Sequence, residues 1–177
     1  EPFGYRNQIQ WSLTAEGALG LRGQASHEIV PVEACPIAHP AINAVRTRLS
    51  LEADAGLERV TIRVDESGDP LLVLEPAEET PEVSFDLPMA AAVLRPDGTA
   101  FALAERDWLD IEVKERAFRV SAGSFFQVNL AQAERLVDLV LEALAPEPDH
   151  VIFDLFCGVG LFTAFLAPRV ARVIGVE

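Results

Sequence analysis

The chain has 177 residues, half of them apolar, enough for one ordinary domain or two small ones sharing a core. Its twelve prolines and eleven glycines are dispersed, which argues against a low-complexity disordered chain, and no apolar run approaches the ~20 residues that span a bilayer. The net charge of −14, from 28 acids against 14 Lys and Arg, opposes a broad grip on phosphates, so any nucleic-acid contact needs a local basic patch or a surface outside these residues.

The first residues, Glu1 to Arg6, lack the basic and apolar regions of a signal peptide. Gln8 to Leu13 alternates polar and apolar side chains and predicts a strand; Gly17 to Gly23 reads as a glycine-punctuated turn or bulge. Glu28 to Val32 predicts a short strand whose internal Pro31 places it at an edge. Pro40 opens a helix followed by Ile42, Val45 and Leu49 at helical spacing. Glu58 to Val64 alternates again, Asp65 to Pro70 turns, and Leu71 to Leu74 returns as a hairpin partner. Short strands are predicted around Val83–Phe85, Ala91–Leu94, Phe101–Ala104, Trp108–Val113 and Phe118–Val120, with a turn at Pro96-Asp97-Gly98. The acidic stretch of Glu75, Glu78, Glu79 and Glu82 reads as a solvated loop.

The periodicity changes after Ser121. Leu130, Ala133, Leu136, Val137, Val140, Leu141 and Leu144 recur at helical spacing. Asn129 is a suitable N-cap with Gln132 three residues on, and Pro146 and Pro148 end the helix. Val151 to Phe156 is a nearly continuous apolar run of strand length, as expected of a parallel strand buried on both faces. Gly158 to Gly160 turns, Leu161 to Leu166 forms a short helix, and Val173 to Val176 is a second strand closing on Glu177. Strand, glycine turn, helix, strand is the opening of a doubly wound sheet. Two parallel strands alone cannot bury both faces, so the expected reading is part of a longer domain.

The chemistry concentrates in Asp154-Leu155-Phe156-Cys157-Gly158-Val159-Gly160-Leu161-Phe162-Thr163, at the carboxyl end of the first parallel strand, where open α/β sheets bind ligands. Gly158 and Gly160 let backbone approach a ligand closely. Thr163 stands where the dinucleotide fingerprint requires Gly or Ala, which counts against a nicotinamide or flavin enzyme. Glu177 ends the next strand, where an acid accepts from two ribose hydroxyls. The alternative is a purely structural turn.

Upstream, Ser121-Ala122-Gly123-Ser124-Phe125-Phe126-Gln127-Val128-Asn129 precedes the helix and the Asp-Leu-Phe-Cys-Gly-Val-Gly run. Together these resemble the RNA (uracil-5-)methyltransferase family, class I enzymes that use S-adenosylmethionine on 23S rRNA or tRNA. Gly4-Tyr5-Arg6-Asn7 and Glu33-Ala34-Cys35-Pro36-Ile37 resemble the family's central domain, whereas Leu51 to Glu115 is unspecific. The resemblance implies a truncated member. Residues 1–121 would form an α+β, β-rich central domain, and 122–177 the first part of an α/β Rossmann-like methyltransferase domain.

By the same resemblance, Gln127 contacts the cofactor, Phe156 lines its pocket and Glu177 holds the ribose, with Asp154, Gly158 and Gly160 completing the cofactor-binding set. Leu161 departs from the asparagine common in the family and removes one polar contact. The family's reaction adds a cysteine thiolate to C6 of uridine, transfers methyl to C5, and removes the C5 proton with a base. The target base leaves its stack to be reached. The resemblance puts that nucleophile and base beyond these residues, so no catalytic residue is expected here and the chain alone is expected to be inactive. Cys157 sits in the cofactor turn and reads as a small buried residue. In some relatives the Cys-Pro cysteine is the fourth ligand of a [4Fe–4S] cluster, a role open to Cys35 only if three cysteines precede it in the parent protein.

The other candidates are blander. His27, His39 and His150 lack metal-ligand spacing with one another or with carboxylates. Trp11 and Trp108 read as core residues rather than base-stacking platforms. Arg46, Arg48, Arg59 and Arg63 form the one modest basic cluster, read as solvated positions on a helix and a strand. The two distant cysteines indicate a reduced, cytoplasmic protein without disulfides, and no membrane partner is expected. The leading expectation is 5-methyluridine formation in rRNA or tRNA. The alternatives are a non-catalytic RNA-binding or scaffold relative, and a methyltransferase with another substrate. Self-association through the strand ending at Glu177 is also expected, because an unpaired edge invites pairing.

Overall fold

The computed structural model describes residues 2–24, 26, 28–51, 56–77 and 88–177. The strand expected at Val83–Phe85, His27, and the acids Glu78, Glu79 and Glu82 lie outside the described residues. The elements are β1 (Gln8–Leu13), β2 (Leu19–Arg22), β3 (Ile29–Pro31), α1 (Pro40–Arg46), β4 (Leu57–Val64), β5 (Pro70–Pro76), β6 (Ala90–Leu94), β7 (Ala100–Ala102), β8 (Trp108–Val113), β9 (Arg116–Ser121), α2 (Leu130–Leu144), β10 (Val151–Leu155), α3 (Leu161–Leu166) and β11 (Arg172–Val176). A 3₁₀ turn, Ala167–Arg169, follows α3. No helix among the described residues is long and apolar enough to cross a membrane.

β1 to β7 build one sheet in the order β3-β2-β1-β4-β5-β6-β7, while β8–β9 and β10–β11 form two-stranded sheets of their own. The arrangement is a mixed α/β fold. The β4–β5 hairpin pairs as the alternation predicts, with Ile62 opposite Leu72. β3 sits at the sheet edge, as Pro31 requires. β6 runs parallel to β5, a pairing that no local pattern announces. The region from Gly17 to Gly23, expected as a turn, contains β2 instead. Gly20 is needed there because a Cβ would stand 2.5 Å from the Val30 carbonyl oxygen of β3.

β5 and β6 are buried on both faces, so their two-residue periodicity divides the core in two. Leu72, Leu74, Ala91 and Val93 face a cluster with Trp11, Ile42, Val60, Ile62 and Val64. Leu71, Val73, Ala90 and Ala92 face another that takes in Leu109, Ile111 and Phe118 of the β8–β9 hairpin, Ala133 and Val137 of α2, and Leu161 and Phe165 of α3. The second cluster crosses the expected boundary at 121/122 and seats α2 and α3 on the large sheet. Phe118 links the layers, its ring centroid 5.8 Å from that of Phe126 and 6.1 Å from that of Phe165.

Helix α2 begins at Asn129, whose side-chain oxygen accepts from the Gln132 amide at 3.1 Å, and stops at Ala145 in a left-handed conformation just before Pro146. β10 and β11 pair in parallel, Asp154 opposite Gly175. The expectation that β10 is buried on both faces does not hold: Val151 is 55 %, Phe153 63 % and Leu155 62 % exposed. α3 covers one face of the pair and these three side chains occupy the other.

Two further expectations are corrected. Glu75 is not in a solvated loop but in β5, where it is buried and accepts from Gln10 and Thr61 while pairing with Arg59 at 3.0 Å. The arginine cluster is not simply solvated. Arg46 lies over the Trp11 ring at 5.4 Å and donates to the Leu19 carbonyl, and Arg63 is 3 % exposed. Trp11 is fully buried as expected, whereas Trp108 is half-buried beneath the Arg119 guanidinium.

Candidate cofactor cleft

The turn after β10 is held together from inside. Asp154 Oδ2 accepts both the backbone N–H of Thr163, at 3.0 Å, and its hydroxyl, at 2.6 Å. The residue that departs from the dinucleotide pattern is therefore the one that ties the start of α3 to the end of β10. Gly160 takes φ +82° as the N-cap of α3, and Gly158 takes φ +54° with open space where a Cβ would stand. Phe156 is also left-handed, at φ +60°, and 90 % exposed. A large aromatic held in a strained conformation with its face in solvent is what a flat ligand would meet.

Glu177 reaches back to this turn, its Oε2 accepting the Gly158 amide at 2.7 Å. Cys157 donates its backbone N–H to the Val176 carbonyl, and its sulfur packs over Gly175, where a Cβ would come within 3.0 Å. Cys157 thus fills space between β10 and β11, in keeping with a packing residue.

A cleft opens beside the turn, lined by Phe125, Phe126 and Gln127 on one side and Phe156, Cys157 and Gly158 on the other. The structure therefore brings Gln127, Phe156 and Gly158 together, with Glu177 bonded to Gly158 and Gly160 at the base of α3. Asp154 is set back, engaged with Thr163.

The segment carrying Gln127 is anchored from the large sheet. Arg63 of β4 donates from Nη1 to the Ser121 carbonyl at 3.0 Å, from Nη2 to the Ser124 carbonyl at 2.7 Å, and from Nε to Gln8 Oε1 at 2.7 Å. Burial pulls its pKa down to about 10. Asn7 adds a second tie, donating its N–H to the Val128 carbonyl at 2.9 Å. Sequence reasoning placed Arg63 on the surface, because strand alternation does not show that a third layer covers that end of β4.

Cys35 is buried away from the cleft. Its backbone is held by Asn43 of α1, which accepts its N–H at 2.9 Å and donates to its carbonyl at 3.1 Å. The chain has two cysteines, and Cys157 lies partly buried in the turn after β10, so its own residues do not form a four-thiolate cage. His39 caps α1 through Nδ1. His150 does stand near carboxylates, contrary to expectation: it groups with Glu147 and Asp149, all three exposed.

A parallel strand, a glycine turn and an acid at the next strand's end place this segment among α/β proteins that bind ligands at the carboxyl ends of their strands. Residues 100–177 match the family model described as tRNA (Uracil-5-)-methyltransferase. It is 34% identical over 181 residues to an uncharacterized RNA methyltransferase of Streptomyces avermitilis, covering 98% of this chain and 41% of that protein. It is 34% identical over 193 residues to the 23S rRNA (uracil(1939)-C(5))-methyltransferase RlmD of Pectobacterium carotovorum, covering 99% and 43%. The chain thus spans about two-fifths of the length of these relatives. The crystal structure of Pyrococcus abyssi tRNA (uracil-54, C5)-methyltransferase in complex with S-adenosyl-L-homocysteine shares the fold, with a TM-score of 0.74 at 20% identity over 99% of this chain and 49% of that one.

Proposed function

We propose that this chain is the central and cofactor-entry part of an S-adenosylmethionine-dependent methyltransferase that makes 5-methyluridine in rRNA or tRNA. The observation that carries the reading is the convergence of the Phe125–Gln127 segment and the Phe156–Gly158 turn on one cleft. RNA uracil-5-methyltransferases among the relatives, and a similar structure described with S-adenosyl-L-homocysteine, support it.

The residues fit an adenosyl ligand. Phe156 offers an exposed aromatic face to the adenine, and Glu177, already oriented by the Gly158 amide, is placed to accept from the ribose hydroxyls. Gly158 and Gly160 keep the floor free of side chains. Gln127 supplies an amide to the amino-acid end of the ligand. Asp154 serves the site indirectly, by fixing the turn through Thr163. When bound, the cofactor supplies an electrophilic methyl on a sulfonium; the chain's own residues bind and orient it, and the aromatic walls exclude water.

In this reading the thiolate that adds to uridine C6 and the base that takes the C5 proton belong to the parent protein outside these residues. Cys157 is occupied in packing against Gly175, and Cys35 is buried in the other core. The domain division at 121/122 belongs to the same proposal, as do RNA as partner and a role for Cys35 in a [4Fe–4S] cluster given three further cysteines. Self-association through β11 is part of it too.

The test is to incubate the full-length protein with labelled S-adenosylmethionine and total RNA from a strain lacking the gene. Label recovered as 5-methyluridine is the expected outcome. Cofactor binding without label in RNA would redirect the search to another substrate, and no cofactor binding would overturn the reading.

A further inference from the structure

We propose that Arg63 is a positioning residue for the cofactor cleft, setting the Phe125–Gln127 wall through its hold on the Ser121 and Ser124 carbonyls. This rests on the reading of the cleft as the S-adenosylmethionine site. Ser121 and Ser124 are themselves joined, the Ser124 N–H donating to the Ser121 carbonyl at 3.0 Å, so the guanidinium fork closes over one tight turn. Gln127 follows that turn by three residues, and the next anchor is the Asn7 N–H on the Val128 carbonyl. The stretch carrying Gln127 is therefore fixed at one end by Arg63 of β4 and at the other by Asn7, the residue just before β1. Gln8, directly opposite Arg63 in the β1–β4 register, holds the guanidinium's third side through Nε.

The three hydrogen bonds donated by the guanidinium all end on neutral oxygens: two carbonyls and one amide. A guanidinium presents several donors in a fixed plane, whereas an ammonium is a compact point charge that cannot span both carbonyls with the same geometry. Arg63→Lys keeps the charge and loses the fork. A misplacement of a binding wall by about 1 Å carries a disproportionate loss of function.

The experiment uses the full-length protein and two variants, Arg63→Lys and Gln8→Ala, with S-adenosylhomocysteine binding measured by calorimetric titration and folding by thermal unfolding. Arg63→Lys is expected to weaken binding by roughly ten- to a hundredfold at a temperature where it is fully folded. Gln8→Ala should act more weakly in the same direction. In turnover, kcat/KM for the cofactor should fall more than kcat. A lowered melting temperature with unchanged affinity in both variants would overturn the proposal and leave Arg63 a purely structural residue. If Arg63→Lys does not fold, unchanged affinity in Gln8→Ala overturns it alone. If the unmodified protein binds no S-adenosylhomocysteine, the functional reading falls and this inference with it.

Discussion

Thr163 places both its backbone N–H and its hydroxyl on a single oxygen of Asp154, nine residues earlier in the chain. The pair closes the glycine turn from within, so the shape of the cleft floor depends on a side chain that does not line the cleft. Thr163→Val keeps the volume and the backbone donor but removes the hydroxyl. It is expected to destabilise the protein by about 1.5–3 kcal/mol, the scale of a hydrogen bond to a charged group. Urea unfolding measures this, and an unchanged midpoint would show that the hydroxyl contributes nothing.

A second expectation concerns acid. The hydroxyl of Thr99, at 2.6 Å, and then its N–H, at 2.9 Å, hold the Asp97 carboxyl below its ordinary 3.8. A carboxylate with a folded pKa below the unfolded one contributes stability above the unfolded value and loses it as pH falls through the folded one. The turn at 96–99 should therefore keep its geometry at neutral pH and loosen only below 3.8. Titration of the Asp97 carboxyl by NMR should give a midpoint below that value, and Thr99→Ala should raise it. Coincident midpoints would refute the assignment.

The β8–β9 hairpin turns through Lys114 and Glu115, both left-handed at φ 49° and 63°. Neither side chain favours that region, and such turns prefer Asn-Gly. Lys114 is committed elsewhere, paired with Asp138 at 2.8 Å. Glu115→Gly should thus relieve strain without breaking that pair, raising stability by about 0.5–1 kcal/mol. A fall in melting temperature would mean that glycine's extra freedom in the unfolded chain outweighs the relief.

The exposed side chains Val151, Phe153 and Leu155 lie along β10, and Val176 of β11 is exposed opposite Leu155. With an unpaired strand beside them, this chain expressed by itself is expected to self-associate. Light scattering at rising concentration checks it, and Phe153→Lys should shift the population toward monomer. A monodisperse monomer at high concentration would refute the expectation.

The local patterns in the sequence carried most of the elements. Proline at the start of α1, asparagine before α2, and the alternation of β1, β4 and β8 each record a force acting within a few residues. The parallel pairing of β6 with β5 depends on a distant crossover, and β2 was hidden because Gly20 reads as a turn residue when it in fact makes room for the Val30 carbonyl. In the cleft, Gln127, Phe156, Gly158 and Glu177 were reached through motif and resemblance, and the structure gathers them in one place. Arg63 and Thr163 escaped because their roles are to hold other residues. Such roles become visible only once the third dimension shows which carbonyl or carboxylate each one faces.

β5 works as a party wall between two rooms, each of its successive side chains furnishing the opposite one. A lodger cannot leave one room without shaking the other. Loosening around Trp11 should be felt at the seat of α2 and α3, and heating should empty both cores in one step.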